Sequence, residues 1–174
     1  MGCDIHSFVE RRDVYRYDGE ETEYGWKNAG EAPICRNYNI FAVLANVRND
    51  DNMPFISEPK GFPEDACSEA EQYYKYWGAD AHSASRLTLK EIKTYDYNQK
   101  FYSAELILAK DNNGKVIETC RATTGEHMGE LGEVKIFDPW GNDAWFKLIL
   151  YMNTIKKFYK LNDKQVRLVF WFDN

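Results

Sequence analysis

Val166-Arg167-Leu168-Val169-Phe170-Trp171-Phe172, followed by Asp173-Asn174, closes the chain. In an extended segment, Val166, Leu168, Phe170 and Phe172 point to one side and Arg167, Val169, Trp171 and Asp173 to the other. Both sides are largely apolar, which predicts an interior strand covered on both faces. Upstream, Trp145, Leu148, Ile149, Met152, Ile155 and Phe158 recur at three- and four-residue intervals, with Lys147, Lys156 and Lys157 on or beside the opposite face. That spacing predicts a helix from about Asn142 or Asp143 that lays one face on the sheet.

Further outward, alternation from Gly2 to Arg11, the turn pair Asp18-Gly19 and a run from Tyr24 to Lys27 predict an opening hairpin. Phe101 to Ala109 and Lys115 to Arg121, separated by Asp111-Asn112-Asn113-Gly114, predict a second antiparallel hairpin. Ile40, Phe41, Leu44 and Val47 predict a helix between Asn39 and Arg48 with Asn39 as N-cap. Ser68 with Glu71, and Thr88 with Glu91, are capping-box patterns. They predict helices from Glu69 to Trp77, before Gly78, and from Thr88 to about Asn98, with Ala79 to Leu87 as the connection between them. Asn49 to Pro63 reads as a long loop, and Gly125, Gly129 and Gly132 as a glycine-rich connection leading to Asp138-Pro139-Trp140-Gly141. The fold class is α+β: a mainly antiparallel sheet of about five strands with helices packed on it, in a single domain over residues 1–174.

The chain has 174 residues, a size suited to one domain with a substantial core, and 44% of them are hydrophobic. A net charge of -6 argues against a broad basic face for duplex nucleic acid. No apolar run reaches the length of a membrane span, and no secretory leader is read at the start. Cys3, Cys35, Cys67 and Cys120 form no C-x-x-C pair and read as reduced thiols in a cytosol. His6 stands where a myristoylation pattern wants Ser or Thr, and Ser7 comes one position late, so lipidation is not expected.

Strand parity places Asp4, His6 and Phe8 on one face and Cys3, Ile5, Ser7 and Val9 on the other, which sends Cys3 to the core. Asp80-Ala81-His82, followed by Ser83 and Ser85, repeats the Asp-x-His spacing of Asp4 and His6. A carboxylate beside an imidazole can fix its tautomer for acid–base work, or both can ligate a divalent metal, so Asp4, His6, Asp80 and His82 are the catalytic and metal candidates. The alternatives are an exposed strand end for the first pair and a hydrogen-bonded loop for the second. Arg36, Asn37 and Tyr38 suit a nucleotide-like ligand through a guanidinium fork, an amide and a ring; a capping segment and surface ion pairs involving Arg36 and Arg48 are the plainer reading. His127 reads as an exposed loop residue. Asp173 and Asn174 leave the closing strand at a rim, where they border the Asp4 and His6 face if the first and last strands are neighbours.

Met1-Gly2-Cys3-Asp4-Ile5-His6, Arg36-Asn37-Tyr38 with Leu44-Ala45-Asn46-Val47-Arg48, the segment from Asp80 to Leu89, and Val169-Phe170-Trp171-Phe172-Asp173-Asn174 together resemble an uncharacterised family of small proteins carried by tailed bacteriophages and prophages. The resemblance implies a setting, an accessory phage protein in the host cytoplasm where anti-defence proteins are common, and brings no catalytic assignment. Three functions are expected to compete. The first is binding and sequestration of a nucleotide-like small molecule such as an immune signal, through Asp4, His6, Arg36, Asn37, Tyr38, Asp80, His82, Ser83 and Ser85. The second is a metal-dependent or acid–base hydrolase of a phosphoester, and the third an inhibitor that clamps a host protein through aromatics of the Asn49 to Pro63 loop. A homo-oligomer is compatible with each.

Overall fold

Val166–Asp173 forms β7, and it lies inside a four-stranded open antiparallel sheet, between β1 (Asp4–Tyr17) and β3 (His82–Thr88). All seven residues from Val166 to Phe172 are buried, as two-sided apolarity requires. β2 (Glu20–Glu31) completes the sheet outside β1, joined to it through Asp18 and Gly19, both at positive φ, the geometry that an Asp-Gly hairpin turn supplies. The computed structural model describes residues 2–50, 52–110, 112–113, 116–121, 130–135 and 143–174, with the backbone alone for 100–110, 116–121 and 130–135. His127, Gly125, Gly129, the Asp138 to Asn142 turn and residues Asp111, Gly114 and Lys115 of the second hairpin lie outside the described residues.

The sheet carries helices on both faces. On one, α1 (Tyr38–Ala45), α3 (Leu89–Thr94) and α4 (Asp143–Phe158) bury Ile40, Phe41, Leu44, Leu89, Ile92, Trp145, Leu148 and Met152 against Val9, Leu168, Phe170 and Phe172. On the other, α2 (Ser68–Trp77) covers Phe8 and Trp171 with Ala70, Tyr74 and Trp77, residues spaced to share one helix face. β4 (Lys100–Lys110) pairs antiparallel with β5 (Val116–Arg121), as expected, and also with β6 (Glu130–Lys135), making a three-stranded sheet. The α+β class thus holds, with about five strands expected and four in the sheet that organises the core.

Several local readings are corrected. The N-cap of α1 is Asn37, not Asn39: its side chain accepts from the N–H groups of Asn39 and Ile40, and left-handed Asn46 ends the helix before Arg48. The Ser68–Glu71 capping box does not form. Cys67 occupies the N-cap position of α2 without a side-chain cap bond, its N–H donates to Glu10 Oε1 at 2.8 Å, and Glu71 pairs with Lys75 one turn on. The Thr88–Glu91 box does form, yet it closes a strand rather than an interhelical connection, and α3 stops at Thr94. His82 to Thr88 lacks a strand-like composition but supplies the partner that the second edge of β7 needs. Residues 130–135, read as part of a glycine-rich connection, are strand β6, and Phe158, read as part of the apolar stripe, is exposed.

A charged network crosses the α2 side of the sheet. Arg167 and Glu10 are register partners on β7 and β1, so their side chains share a face, and Arg167 Nε donates to Glu10 Oε2 at 2.7 Å. Arg167 also reaches Asp65 Oδ1 at 2.8 Å and stacks over Trp26, whose indole N–H donates to Asp65 Oδ2. Glu10 therefore holds the strand pair, the segment ending at Cys67 and the start of α2 together.

Candidate functional site

The rim where β1 begins and β7 ends gathers most of the candidate residues. Asp4 pairs in register with Asp173, and His6 with Trp171, so the closing residues border the Asp4 and His6 face. Asp173 Oδ1 accepts the Asp4 N–H at 3.0 Å, and its Oδ2 lies 3.2 Å from His6 Nε2. The carboxylate partner of His6 is therefore Asp173, not Asp4. Asp4 is engaged by Arg36, whose Nε donates to Oδ1 at 2.7 Å and whose Nη2 donates to Oδ2. This bidentate contact holds the Asp4 carboxyl below its ordinary pKa, and the pair is about half exposed.

His6 is walled by rings. Trp77 lies 4.2 Å away between centroids, Trp171 5.7 Å, and Tyr73 meets it edge-on at 5.6 Å. With its side chain only 15% exposed and Asp173 behind one nitrogen, His6 is a positioned imidazole that can donate or accept a proton.

The two Asp-x-His units do not meet. His82 is the register partner of Phe172, and adjacent residues of β7 face opposite ways, so His82 and His6 lie on opposite faces of the sheet. Asp80 is exposed in a 3-10 turn, Gly78–Asp80, and His82 Nδ1 faces Ser83 Oγ at 3.0 Å instead. The four-residue metal set of Asp4, His6, Asp80 and His82 is thus divided by the sheet. Among the described residues no three His, Cys, Asp or Glu side chains are grouped to hold a metal ion.

On the second face His82 meets a residue that parity sent to the core. Cys3 is fully buried, with its Sγ 4.0 Å from His82 Nε2 and its N–H donating to Tyr38 Oη. Ser83 sits at φ 49° in the bulge between His82 and Ser85, which turns its hydroxyl back onto the imidazole. Burial pushes the Cys3 thiol above its ordinary pKa, and nearby Arg48 offsets only part of this, so the pair is no thiolate nucleophile at neutral pH. Burial raises Cys67 further, to about 12. Exposed Cys35 is therefore expected to react with a thiol reagent at about pH 8 while Cys3 and Cys67 stay protected in the folded protein. Peptide mapping of the labelled protein checks this, and prompt labelling of Cys3 would contradict it.

Asn37, Tyr38 and Ser85 have structural work: a helix cap, the Cys3 contact, and acceptance of the Lys60 N–H at 3.1 Å. Arg48 reaches Asn174 at 3.3 Å. Phe62, an aromatic of the long loop, turns inward and stacks on Tyr74 at 4.1 Å.

The residues missed from sequence lie beside His6. A cavity of about 110 Å³ is lined by Ile5, His6, Phe8, Glu31, Ile34 and Tyr73 among others, and an open groove of about 540 Å³ by Phe8, Glu31, Glu69, Gln72, Tyr73 and Tyr76. Sharing Phe8, Glu31 and Tyr73, they adjoin as one cleft between α2 and the β1–β2 edge. The signal was present in Tyr73, Tyr74, Tyr76 and Trp77, four aromatic residues within one short helix, more than its single buried face requires.

No family model, curated protein or solved structure matches this chain. The cleft must be read from its own chemistry. Its walls are aromatic, Glu31 lines both compartments and Glu69 the outer one, and His6 lines the inner one. Among the described residues no helix is long and apolar enough to cross a membrane.

Proposed function

We propose that the protein binds and holds a small, polar, nucleotide-like ligand in the cleft beside α2. The observation that carries this reading is the aromatic-walled cleft itself: Tyr73 and Tyr76 present exposed rings, Phe8 and His6 form the floor, and polar groups stand at both ends. Base-on-ring stacking suits such walls, and the Arg36 guanidinium, whose fork Asp4 occupies, would take a phosphate by exchanging that partner. The phage setting implied by the terminal motifs fits a protein that withdraws a signalling nucleotide from host defence.

Calorimetric titration with GMP, AMP, CMP and UMP tests the reading. At least one is expected to bind, and Tyr73→Ala to weaken it by about 1–3 kcal/mol, the worth of one stacked base. If none binds, or if Tyr73→Ala binds as the wild type does, the cleft is not the site.

The His6–Asp173 contact at 3.2 Å favours a second reading, acid–base hydrolysis of the bound molecule. Heat-denaturing the complex and analysing the released ligand separates the two. Intact nucleotide supports sequestration. Products that vanish in His6→Ala support catalysis.

A further inference from the structure

The cleft is not electrostatically even, and its asymmetry bears on which base it takes. Glu31 lines both compartments and Glu69 the outer one, while among the described residues no Lys or Arg lines either. A phosphate placed among these carboxylates would be repelled, so the charged end of a nucleotide belongs outside them and its ring among the aromatics. A carboxylate at the ring end accepts hydrogen bonds only, and therefore favours a base whose edge is rich in N–H donors.

The backbone adds the complementary group. Ala32 N–H donates to Ser7 O at 3.2 Å, so Ser7 turns its backbone toward the β2 side of β1. Ile5, two residues earlier in an unbroken register with β7, turns the same way, past the point where β2 has ended at Glu31. Its N–H and C=O therefore face the small cavity that Ile5 lines, one donor beside the acceptors of Glu31. The rings of Tyr73 and Tyr76 lie within 2° of parallel with centroids 6.3 Å apart, too close to admit a base between them, so a flat heterocycle would stack on an outer ring face.

We infer that the cleft selects a guanine-type base, with Glu31 accepting from the ring N–H and the exocyclic amine, and the Ile5 edge serving the ring carbonyl. This rests on the binding reading above and goes beyond it in naming the base. Titration of the full chain with GMP and IMP, which differ only in the exocyclic amine, tests it. GMP is expected to bind at least about fivefold more tightly than IMP, and Glu31→Gln to abolish most of that preference by weakening GMP more than IMP, which keeps the ring N–H but lacks the amine. Unchanged thermal unfolding of Glu31→Gln and of a second variant, Glu31→Ala, would show that the exposed substitution acts on binding. Equal affinity for GMP and IMP, with other nucleotides binding and remaining sensitive to Tyr73→Ala, would overturn the guanine assignment alone. Failure of every nucleotide to bind would overturn the binding reading with it.

Discussion

Arg167→Ala is expected to cost about 3–5 kcal/mol of unfolding free energy, a large share of what holds a domain of this size together. The Arg167 side chain is 5% exposed and that of Glu10 fully buried, so truncating the arginine leaves a carboxylate without its counter-charge inside the sheet. That carboxylate also fixes the Cys67 N–H, so its displacement loosens the start of α2 as well as the β1–β7 pair. Urea denaturation measures the effect; a loss below about 1 kcal/mol, the scale of an exposed ion pair, would mean that the pair is not desolvated as described. Replacing both partners with methionine is expected to recover only part of the loss, because neither charge then remains buried but the Cys67 N–H loses its acceptor.

The same network gives a pH dependence of known sign. Burial raises the Asp65 carboxyl, but hydrogen bonds from Arg167 and Trp26 and the charges of Arg167 and Arg12 outweigh it and leave the group below its ordinary pKa. Its contribution is then complete above the unfolded value of about 3.9 and fades as pH falls through the lower folded one. Arg167→Ala should flatten that part of the acid limb.

Trp171→Ala is expected to cost a further 3–5 kcal/mol by a different mechanism, the opening of a cavity that neighbouring rings cannot fill. Trp171 is fully buried and meets His6, Phe8, Phe62, Tyr73 and Tyr74 at centroid distances from 5.4 to 6.0 Å. It joins β7, β1, the long loop and α2, and underlies the cleft. Its indole N–H has no hydrogen-bond partner among the described residues. Trp171→Phe should therefore be far milder than Trp171→Ala, since it keeps a ring in place and removes a buried donor unpaired among the described residues. Equal losses in the two variants, by chemical denaturation, would contradict this account of the packing.

What could be read from the chain, and what could not, follows from the range of each interaction. The closing run disclosed its own place because both of its faces are apolar, and strand parity put Cys3 in the core and His6 opposite it. The Asp-Gly turn and the Thr88–Glu91 box were legible because their groups are neighbours in sequence. β3 was not legible: His82, Ser83, Ala84 and Ser85 carry little strand preference, and the segment is extended because β7 needs a partner there. Nor did repeated Asp-x-His spacing mean shared space, since a one-residue step along β7 sends His6 and His82 to opposite faces. The Glu10–Arg167 pair spans nearly the whole chain, and its only local trace is a charge at an otherwise apolar strand position. Glu31, Tyr73 and Tyr76 carried no motif. What unites them is a cleft made by two elements that pack only in the folded chain.

The central claim is that the cleft between α2 and the β1–β2 edge holds a nucleotide-like ligand, and NMR titration of the labelled protein with GMP tests it most directly. Progressive shifts are expected for His6, Phe8, Glu31, Tyr73 and Tyr76, with Cys3, His82 and Ser83 on the opposite face unmoved. Shifts confined to the Cys3–His82 face, or none at saturating GMP, would contradict it.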